Sequence, residues 1–460
     1  MQDRNRNEEY SQLRARIDSG AVRIATVGSG YVGTVIAAVV ADRGYDVTSI
    51  DIRESTIEQL NRGQTPINEP GLGELVRRTV EAGRLRGSTD LAVAAECDVI
   101  IVTVGTPLGP AFEPDTRALV TVSRDLGPHL REGQLVVLKS TVPPRTTQDV
   151  MLPILEQGAP GVRFALAFCP ERLAEGRAIA DSRSIPVVVG GVDRASADIA
   201  AYFWEKVLGV ATIRTAGSVA AELVKLVDNL WIDLNVALAN EVALLAERLG
   251  VDGLEVIEAA NTLPKGQGMV NILAPSIGVG GSCLTKDPWF VHHLGKTLGL
   301  DLLTPVVSRT VNERMPDHSI RLIEGALQHR GRSLAQSKVA VLGLSFKNNT
   351  GDCRHTPTKP IIEWLEASGC VLEICDPWVS DDEARTVTAR PLNTDLDAVL
   401  RDADCIAFLT GHEQFQQISI SKLRRLARPG AVILDGRNSF SPEKIAEARA
   451  AGFAYHGIGR

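Results

Sequence analysis

The stretch Val22-Arg-Ile-Ala-Thr-Val-Gly-Ser-Gly-Tyr-Val-Gly33 decides the fold of the first part of the chain. Its β-branched run ends at Gly28, and residues 31–43 follow with helical apolar spacing until Gly44. A strand that turns through three closely spaced glycines into a helix is typical of the first unit of a doubly wound sheet. The pattern therefore predicts a parallel α/β domain with a ligand-binding turn at residues 28–33.

Further apolar runs repeat this alternation of strand and helix. Strands are predicted at residues 46–51, 98–104, 134–139, 164–167 and 185–190. Strands that alternate with helical stretches indicate a parallel sheet covered on both faces. We expect this domain to span residues 21–212, after a polar tail or frayed helix at residues 1–20.

The pattern changes in the middle of the chain. Residues 218–249 contain no Gly or Pro, and their apolar residues recur at spacings of three and four until Gly250. This spacing predicts one long helix closed by a C-cap glycine. A second helical stretch is predicted at residues 304–329. We expect residues 213–330 to form a central helical domain, whose long helix supports a two-fold homodimer.

The last part of the chain predicts another α/β unit. Strands are expected at residues 338–343, 371–375, 403–409 and 431–435, with a helix at 357–368. The turn after the first of these strands lacks the third glycine of residues 28–33, so the dinucleotide is not assigned here. The predicted fold is α/β, with two Rossmann-like doubly wound domains, the second at residues 331–460, joined by the central helical domain.

Composition sets limits on function. A chain of 460 residues is too long for a single hydrophobic core. Its composition, 44% hydrophobic and 23% charged, is ordinary for a globular protein. A net charge of −7 gives no reason to expect nucleic acid or an anionic membrane as partner. The seven cysteines show neither CxxC nor metal-ligand spacing, so we expect reduced thiols, no metal and a cytoplasmic location. No segment has the apolar run of a signal peptide or a convincing membrane span.

The glycine turn has a specific chemical purpose. Gly28 permits the tight turn, Gly30 lets the backbone approach a pyrophosphate, and Gly33 allows close helix–strand packing; Tyr31 and Val32 lie in the same turn. Asp51 ends the second strand and can accept hydrogen bonds from ribose hydroxyls while repelling the extra phosphate of NADP. The cofactor is therefore predicted to be NAD. NADP stays the alternative, because Arg53 lies close to Asp51 in the sequence. The alternative is that Asp51 is an ordinary strand-end aspartate.

A second motif is Gly278-Val-Gly-Gly-Ser-Cys-Leu-Thr-Lys-Asp287. Its glycines are expected to leave room for a substrate at Cys283, while Lys286 and Asp287 can tune the thiol and handle protons. The alternative is that Cys283 is a buried small hydrophobe, as most free cysteines are. Together with the dinucleotide turn, a nucleophilic cysteine indicates an oxidation that passes through a thioester.

Polar residues after strands and on the long helix add candidates. Thr106 and Thr141 follow apolar strands, where they could contact cofactor or substrate, or merely start loops. Glu171 follows another strand and could act as a general base, or could be a solvated loop residue. Lys225 and Asn229 lie one helical turn apart and could stabilise an oxyanion, or could belong to a solvated face.

These residues together resemble the UDP-glucose/GDP-mannose dehydrogenase family, the nucleotide-sugar 6-dehydrogenases. The resemblance covers the chain after residue 20 and includes further motifs in the same order: Glu69-Pro-Gly-Leu72, Thr106-Pro107, Ser140-Thr141, Pro170-Glu171, Gly343-Leu-Ser-Phe-Lys347, Asp352 with Arg354, Asp376-Pro377 and Asp435-Gly-Arg437. It implies four-electron, NAD-dependent oxidation of the C6 hydroxyl of a nucleotide sugar to a uronate, with a place in polysaccharide biosynthesis.

The resemblance also implies roles for individual residues. Cys283 would be the nucleophile, Lys225 would stabilise the oxyanion, and Glu171 would serve as base. Asp287, Thr141 and Asn229 would position a water or relay protons. Cofactor contacts would come from Thr106, Thr141, Lys286 and Arg354, and substrate contacts from Glu171, Leu173, Lys225, Asn229, Asn271, Ile272, Ser276, Gly280, Phe346, Lys347 and Arg437.

The sugar is a separate question. Ser282 and Lys286 resemble the UDP-glucose branch, whereas residues 239–241, 270–273 and 287–290 resemble the UDP-N-acetylhexosamine branch. UDP-N-acetylmannosamine is the first expectation, with UDP-glucose and UDP-N-acetylglucosamine as alternatives. A hypothesis of another class is a non-catalytic NAD-binding scaffold or sensor.

Overall fold

The computed structural model describes residues 10–266 and 268–460; residues 1–9 of the predicted tail lie outside the described residues. The chain divides into two compact units, one ending at Asp228 and the other comprising Asn229–Arg460. Each unit is built around one parallel-type sheet. The division falls inside a single long helix, Ser218–Leu249.

The first unit contains the larger sheet. Its strands are β1 (Arg23–Val27), β2 (Asp46–Ile50), β3 (Leu85–Ser88), β4 (Val99–Val102), β5 (Leu135–Leu138), β6 (Ala165–Phe168), β7 (Val187–Gly191) and β8 (Thr212–Arg214). Its helices are α1 (Ser11–Asp18), α2 (Tyr31–Asp42), α3 (Glu54–Asn61), α4 (Leu72–Glu81), α5 (Arg117–Leu126), α6 (Leu152–Gly158), α7 (Ala178–Asp181) and α8 (Arg194–Leu208). The central strands are completely buried, as their unbroken apolar runs predict.

The strand order is β3-β2-β1-β4-β5-β6-β7-β8. Strands β1 to β6 pair in parallel, which confirms the predicted doubly wound sheet, but β7 pairs antiparallel to β6. A parallel return needs a crossover of a dozen or more residues, usually helical. The segment between β6 and β7 contains only the four-residue α7, so the chain reverses instead. Edge strands β3 and β8, which have few apolar residues, were not predicted.

Helix α1 differs from the expected tail. Leu13 and Ile17 are four residues apart and are 4% and 2% exposed. They join the core of the first unit, where α1 packs against α8. An apolar pair at this spacing gives even a short helix one face to bury.

The second unit begins with helices. The long helix α9 (Ser218–Leu249) has the predicted bounds. It is followed by α10 (Gly253–Ala260), the two-residue strands β9 (Pro264–Lys265) and β10 (Gly268–Met269), α11 (Asp287–Thr297), α12 (Thr304–Glu313) and α13 (Met315–His329). The predicted stretch 304–329 is therefore two helices, because Pro316 lies in the first turn of α13 and has no N–H to continue the ladder of α12.

The smaller sheet completes the second unit. Its strands are β11 (Lys338–Leu342), β12 (Val371–Cys375), β13 (Cys405–Phe408), β14 (Val432–Asp435) and β15 (Ala454–Gly457), in the order β12-β11-β13-β14-β15 and all parallel. The helices are α14 (Thr358–Ala367), α15 (Asp381–Ala384), α16 (Leu396–Leu400), α17 (Glu413–Gln416), α18 (Ile420–Leu426) and α19 (Pro442–Ala450). This confirms the second Rossmann-like sheet; β15 was not predicted. Across the described residues, none of the helices has the length and apolarity to cross a membrane.

Candidate active site

The glycine turn after β1 has the geometry that its sequence predicts. Gly28 has φ +100°, and a Cβ there would lie 3.1 Å from the carbonyl carbon of Thr103. A Cβ on Gly33 would lie 1.8 Å from the Gly28 oxygen, so α2 can begin against the turn only with glycine. A Cβ on Gly30 would meet nothing within 4 Å. The backbone at Gly30 is thus open to a ligand, as a bound pyrophosphate requires.

Asp51 is part of this turn. One carboxylate oxygen accepts from the backbone N–H of Ser29 at 2.7 Å, and the other accepts from the Arg53 N–H at 2.9 Å. The Arg53 guanidinium is also within 3.3 Å of that second oxygen. Asp51 therefore ties the glycine turn to the end of β2 and lies beside Arg53.

Tyr31 and Glu69 form a link that the sequence did not predict. The Tyr31 hydroxyl donates to the Glu69 carboxylate at 2.5 Å, and Glu69 also accepts from the N–H groups of Gly176 and Ala178 at 2.6 and 2.8 Å. Burial, reinforced by the Glu69 charge, raises the pKa of Tyr31. The start of α2 is thus tied to the loop after β6, while neighbouring Val32 packs on the core.

The loop after β6 carries Glu171 and Leu173. One Glu171 oxygen accepts from the N–H groups of Arg172 and Leu173 at 2.7 and 2.9 Å, and the other lies 3.4 Å from the buried Lys139 ammonium. The Glu171 side chain is 12% exposed, so its interpretation as a solvated loop residue is wrong. Lys139, the partner that sequence analysis missed, also lies over the Trp204 ring.

Thr106 and Thr141 meet after two neighbouring strands. The buried Thr106 hydroxyl donates to the Thr141 carbonyl at 2.5 Å. Because β4 and β5 are adjacent and parallel, their carboxyl ends bring the two loops together. The Thr106 side chain is engaged in holding Thr141, whose own side chain is half-buried.

In the second unit, Cys283 lies on a turn that leads into α11. Its carbonyl accepts from the N–H groups of Lys286 and Asp287 at 3.1 and 2.8 Å. Cys283 is exposed, whereas the other six cysteines are buried. The interpretation of Cys283 as a buried small hydrophobe is therefore wrong.

A buried carboxylate stands four residues after the thiol. Asp287 is fully buried, and it accepts from the Asn229 amide at 2.5 Å and from the Lys286 ammonium at 2.6 Å. The ammonium also lies 3.9 Å from the centre of the Phe290 ring. Asn229 is 5% exposed, so it does not belong to a solvated helix face. Lys225, one turn earlier and in the first unit, is half-buried.

The glycines before Cys283 pack closely against Phe346. A Cβ on Gly280 would lie 2.5 Å from the Phe346 Cβ, and one on Gly281, with φ +86°, would lie 2.7 Å from the Phe346 ring. The Gly281 N–H donates to the Arg354 carbonyl at 3.0 Å. These two glycines therefore admit the Phe346 side chain; that they also leave room for substrate at Cys283 stays a prediction.

Two amides hold the segment that contains Asn271 and Ile272. Asn235 on α9 donates to the Asn271 carbonyl and accepts from the Leu273 N–H, both at 2.7 Å. Asn261 donates to the Ile272 carbonyl at 2.9 Å and accepts from its N–H at 2.7 Å. A primary amide can satisfy a donor and an acceptor at once, which fixes this non-helical backbone. Sequence analysis missed both residues, because a lone Asn carries no distinctive pattern.

A buried polar network continues from this segment. The Ser276 N–H donates to Asn240 at 2.8 Å, Asn240 donates to Asn312 at 2.9 Å, and Asn312 donates to Asp233 at 2.8 Å. The Arg309 guanidinium donates to Asp233 at 2.9 Å, with side chains that are 3% and 0% exposed. Removal of one partner of such a buried ion pair strongly destabilises the folded protein, because the other charge is left buried and unpaired.

Arg309 also reaches the cysteine turn. Its guanidinium lies 3.4 Å from the carbonyl oxygen of Leu284, the residue after Cys283. The network therefore connects the segment at Ser276 to the backbone that presents the thiol. Neither Arg309 nor Asp233 was predicted, because their partners lie in distant parts of the chain.

Arg437 follows the end of β14. It donates to the carbonyls of Leu409 and Phe346, both at 2.9 Å. Burial lowers the pKa of Arg437 to about 10, so the guanidinium is still charged at neutral pH. The preceding Asp435 fixes this turn by accepting from the Phe440 N–H at 2.8 Å.

The loop that carries Phe346 and Lys347 is held by His412 and Asp376. The Asn349 N–H donates to His412 Nδ1 at 2.8 Å, which leaves Nε2 to donate to Asp376 at 3.2 Å. Burial opposes ionisation of Asp376, but the bonds from His412 and from backbone N–H groups hold its pKa below the ordinary value. Lys347 is half-buried in this loop.

Arg354 has two connections near the cysteine turn. Its guanidinium pairs with Asp352 at 2.9 Å, and its carbonyl is the acceptor for the Gly281 N–H. Its backbone thus supports the glycines before Cys283, while its side chain remains partly exposed.

The first unit carries a dinucleotide turn, and the second unit carries an exposed thiol on a turn fixed by backbone hydrogen bonds; each feature is typical of a dehydrogenase. The UDP-glucose/GDP-mannose dehydrogenase family matches the chain with three domain models: the NAD binding domain at residues 22–208, the central domain at 219–314 and the UDP binding domain at 340–442. The chain belongs to this family. It is an NAD-dependent nucleotide-sugar dehydrogenase.

Individual relatives are similar to this chain over nearly its whole length. The UDP-N-acetyl-D-mannosamine dehydrogenase of Pyrococcus horikoshii is 33% identical over 441 residues, which cover 95% of this chain and 99% of the relative. A solved structure of the UDP-D-ManNAc dehydrogenase from that organism has a TM-score of 0.84, with the same coverage. A UDP-glucose dehydrogenase structure from Pyrobaculum islandicum also has a TM-score of 0.84, at 32% identity, covering 95% of this chain and 98% of that chain.

Asp51→Asn should separate the charge of Asp51 from its structural contact. The amide oxygen can still accept from the Ser29 N–H, so the turn should persist, but the charge that we expect to favour NAD over NADP is lost. We expect NAD binding to weaken by about 1–3 kcal/mol while NADP binding weakens less. Titration of both cofactors against Asp51→Asn and wild type measures this; equal weakening would contradict the assignment.

Arg309→Met should destabilise the second unit by about 3–5 kcal/mol, because Asp233 then becomes a buried charge without its cation. The double variant Asp233→Asn/Arg309→Met should recover part of the loss, since no unpaired charge remains. Urea unfolding of the wild type and the variants gives the free energies. If the double variant is no more stable than Arg309→Met, the ion pair does not account for the loss.

Proposed function

We propose that the chain oxidises the C6 hydroxyl of UDP-N-acetylmannosamine to the uronate, with four electrons passing to two NAD. The observation that carries this proposal is the exposed Cys283 on a fixed turn next to the buried group of Asp287, Asn229 and Lys286. A thiol presented in this way can form the covalent intermediate that a second oxidation needs.

The residues of the first unit fit an NAD dinucleotide. The open backbone at Gly30 and the N-terminus of α2 would receive the pyrophosphate, and Asp51 would accept from the ribose hydroxyls. When bound, NAD supplies the hydride acceptor in each oxidation. Thr106, Thr141, Lys286 and Arg354 are proposed as further contacts to it.

Cys283 would carry the chemistry between the two oxidations. After the C6 alcohol has lost a hydride and a proton, the thiolate adds to the aldehyde carbon and its oxygen takes up a proton. Loss of a second hydride and a proton leaves a thioester on the sulfur. Water then adds to the acyl carbon and breaks the C–S bond, which releases the uronate and restores the thiol.

The neighbouring groups are assigned to charge and protons. Lys225 and Asn229 would stabilise the oxyanion that forms at the acyl carbon. Asp287 and Thr141 would position a water or relay protons. Glu171 would accept a proton from the attacking water, since its second oxygen faces Lys139 at 3.4 Å and is not saturated by close donors.

Substrate contacts are proposed on both sides of the thiol. The fixed backbone of the segment at Asn271, Ile272, Ser276 and Gly280 would lie along the sugar nucleotide, together with Leu173 and Phe346. Arg437 and Lys347 would offer positive charge to the diphosphate. The carbonyl partners of Arg437 do not neutralise its guanidinium, which suits it to an anionic ligand.

Two observations favour the N-acetylmannosamine derivative over UDP-glucose. The Pyrococcus horikoshii relative that covers 95% of this chain is named for that substrate, and the segments at residues 239–241, 270–273 and 287–290 resemble that branch. UDP-glucose remains the alternative, because a UDP-glucose dehydrogenase structure has the same TM-score.

A two-fold homodimer through α9 is proposed as the assembly. In the second unit, Trp231, Leu238, Leu245 and Leu249 are 48%, 46%, 61% and 67% exposed, at spacings that place them along one side of the helix. A repeated apolar side on one helix suits self-association, because each copy can cover the other.

A cytoplasmic location is proposed from the thiols. The seven cysteines are thiols, and six of them are buried. An exposed catalytic thiol needs a reducing compartment to stay active.

Cys283→Ser should reduce uronate formation by about a thousandfold or more, because a serine hydroxyl is a poor nucleophile at neutral pH. NAD affinity should stay within about twofold of the wild type, since no cofactor contact is lost. Uronate yield and NAD titration measure the two effects, with Cys97→Ser, a change at a buried cysteine, as control. Uronate production near the wild-type rate would show that the covalent route is wrong.

A panel of UDP-sugars should identify the substrate. UDP-N-acetylmannosamine should have the highest kcat/KM, by about ten- to a hundredfold over UDP-glucose and UDP-N-acetylglucosamine, because a missed hydrogen bond at C2 costs roughly 1–3 kcal/mol. Two NADH should form per sugar. A preference for UDP-glucose would overturn the sugar, and no NADH from any UDP- or GDP-hexose would overturn the activity.

Leu245→Arg should convert the dimer to monomer, because a charge at the middle of the apolar side cannot be buried against a second copy. Leu298→Arg changes another leucine, 63% exposed and outside α9, and should leave the assembly intact. Sedimentation at micromolar concentration distinguishes the species. A monomeric wild type would contradict the dimer.

A further inference from the structure

A cleft of about 720 Å³ lies within the second unit. Its walls come from the end of α9, from α13, from α19 and from the chain segment after β15. Its volume is in the range of sites for small organic ligands. It is lined by none of the residues that we assign to catalysis, NAD or the sugar nucleotide.

The acidic groups of the cleft are already engaged. Glu247 lies 3.0 Å from His318 and accepts from the Gly459 N–H at 2.8 Å. Asp252 caps α10 through the Leu254 N–H at 2.9 Å and pairs with Arg460 at 2.8 Å. Both carboxylates therefore have hydrogen-bond partners in the wall itself.

Three arginines of the cleft differ from these paired groups. Within the described part of the chain, the guanidinium groups of Arg248, Arg321 and Arg449 have no ion-pair partner. His456 is half-buried, and burial lowers its pKa despite the nearby Glu247. At neutral pH the four arginines that line the cleft therefore outnumber its two carboxylates, next to an imidazole that can donate a hydrogen bond.

The remaining lining is nonpolar. Val251 is 46% exposed, Leu322 is half-buried, and Ile445 contributes from α19. Isolated exposed apolar residues are ordinary on a protein surface. Here, however, they line the same concavity as the unpaired guanidinium groups, so one cavity offers both a charged and an apolar wall.

We propose that this cleft binds a phosphorylated small molecule of nucleotide size, at a site separate from the active site. Guanidinium groups match phosphate in charge and in bidentate geometry, so Arg321 and Arg449 would hold the phosphates. The Val251, Leu322 and Ile445 side chains would contact the nucleoside. An inorganic anion would satisfy the cations but would leave the apolar wall unused.

UDP and inorganic pyrophosphate are the probes, and titration calorimetry is the measurement. The variant is the double substitution Arg321→Gln/Arg449→Gln, on exposed side chains whose loss should leave folding and NADH production unchanged. Arg424→Gln is the matched control, because Arg424 is an exposed arginine outside the cleft. Since the active site can also bind UDP, the difference between wild type and double variant isolates the cleft.

We expect the wild type to bind one more UDP per chain than the double variant, or to bind it at the cleft at least about tenfold more tightly. Pyrophosphate should bind there more weakly than UDP, and Arg424→Gln should match the wild type. Identical UDP isotherms for wild type and double variant would overturn the site. Pyrophosphate binding as tight as that of UDP, with the same dependence on the two arginines, would overturn the nucleotide as its ligand.

Discussion

Backbone N–H groups just beyond the carboxyl ends of parallel strands have no partner in the sheet, and each one left buried costs free energy. In this chain, carboxylates placed at those ends accept from them. Asp51 does so for Ser29, Glu171 for Arg172 and Leu173, and Asp435 for Phe440. The loops after these strands have fixed shapes because the carboxylates accept hydrogen bonds from their backbone N–H groups. The proposed site depends on these fixed loops.

The same constraint is met differently where the chain leaves the sheets. In the described structure the segment at residues 271–273 pairs with no strand, so Asn235 on α9 and Asn261 just after α10 bond to its carbonyls and its N–H groups. Asn240 and Arg309 extend this set of contacts to Ser276 and to the Leu284 carbonyl. The position of the thiol is therefore set by long-range side-chain contacts with α9 and α12.

This explains which features the sequence could predict. The bounds of α9 and the shape of the glycine turn follow from local patterns, apolar spacing and φ requirements, and both were found. The antiparallel direction of β7 depends on the length of the crossover, and the break before α13 depends on Pro316. Neither was predicted, because the local signal for each is weak. Lys139, Asn235 and Arg309 were missed because their partners are distant in sequence. The glycines before Cys283 were recognised, but the Phe346 ring that requires them lies in another part of the chain.

Burial separates Cys283 from the other six cysteines. Burial raises the pKa of Cys97, Cys169 and Cys375 to about 11, so these thiols stay protonated at neutral pH. A protonated, buried sulfur is neither nucleophilic nor accessible. Cys283 differs because it lies exposed on a turn that backbone hydrogen bonds hold. The thiol that we propose as the nucleophile is thus the one that the fold leaves exposed.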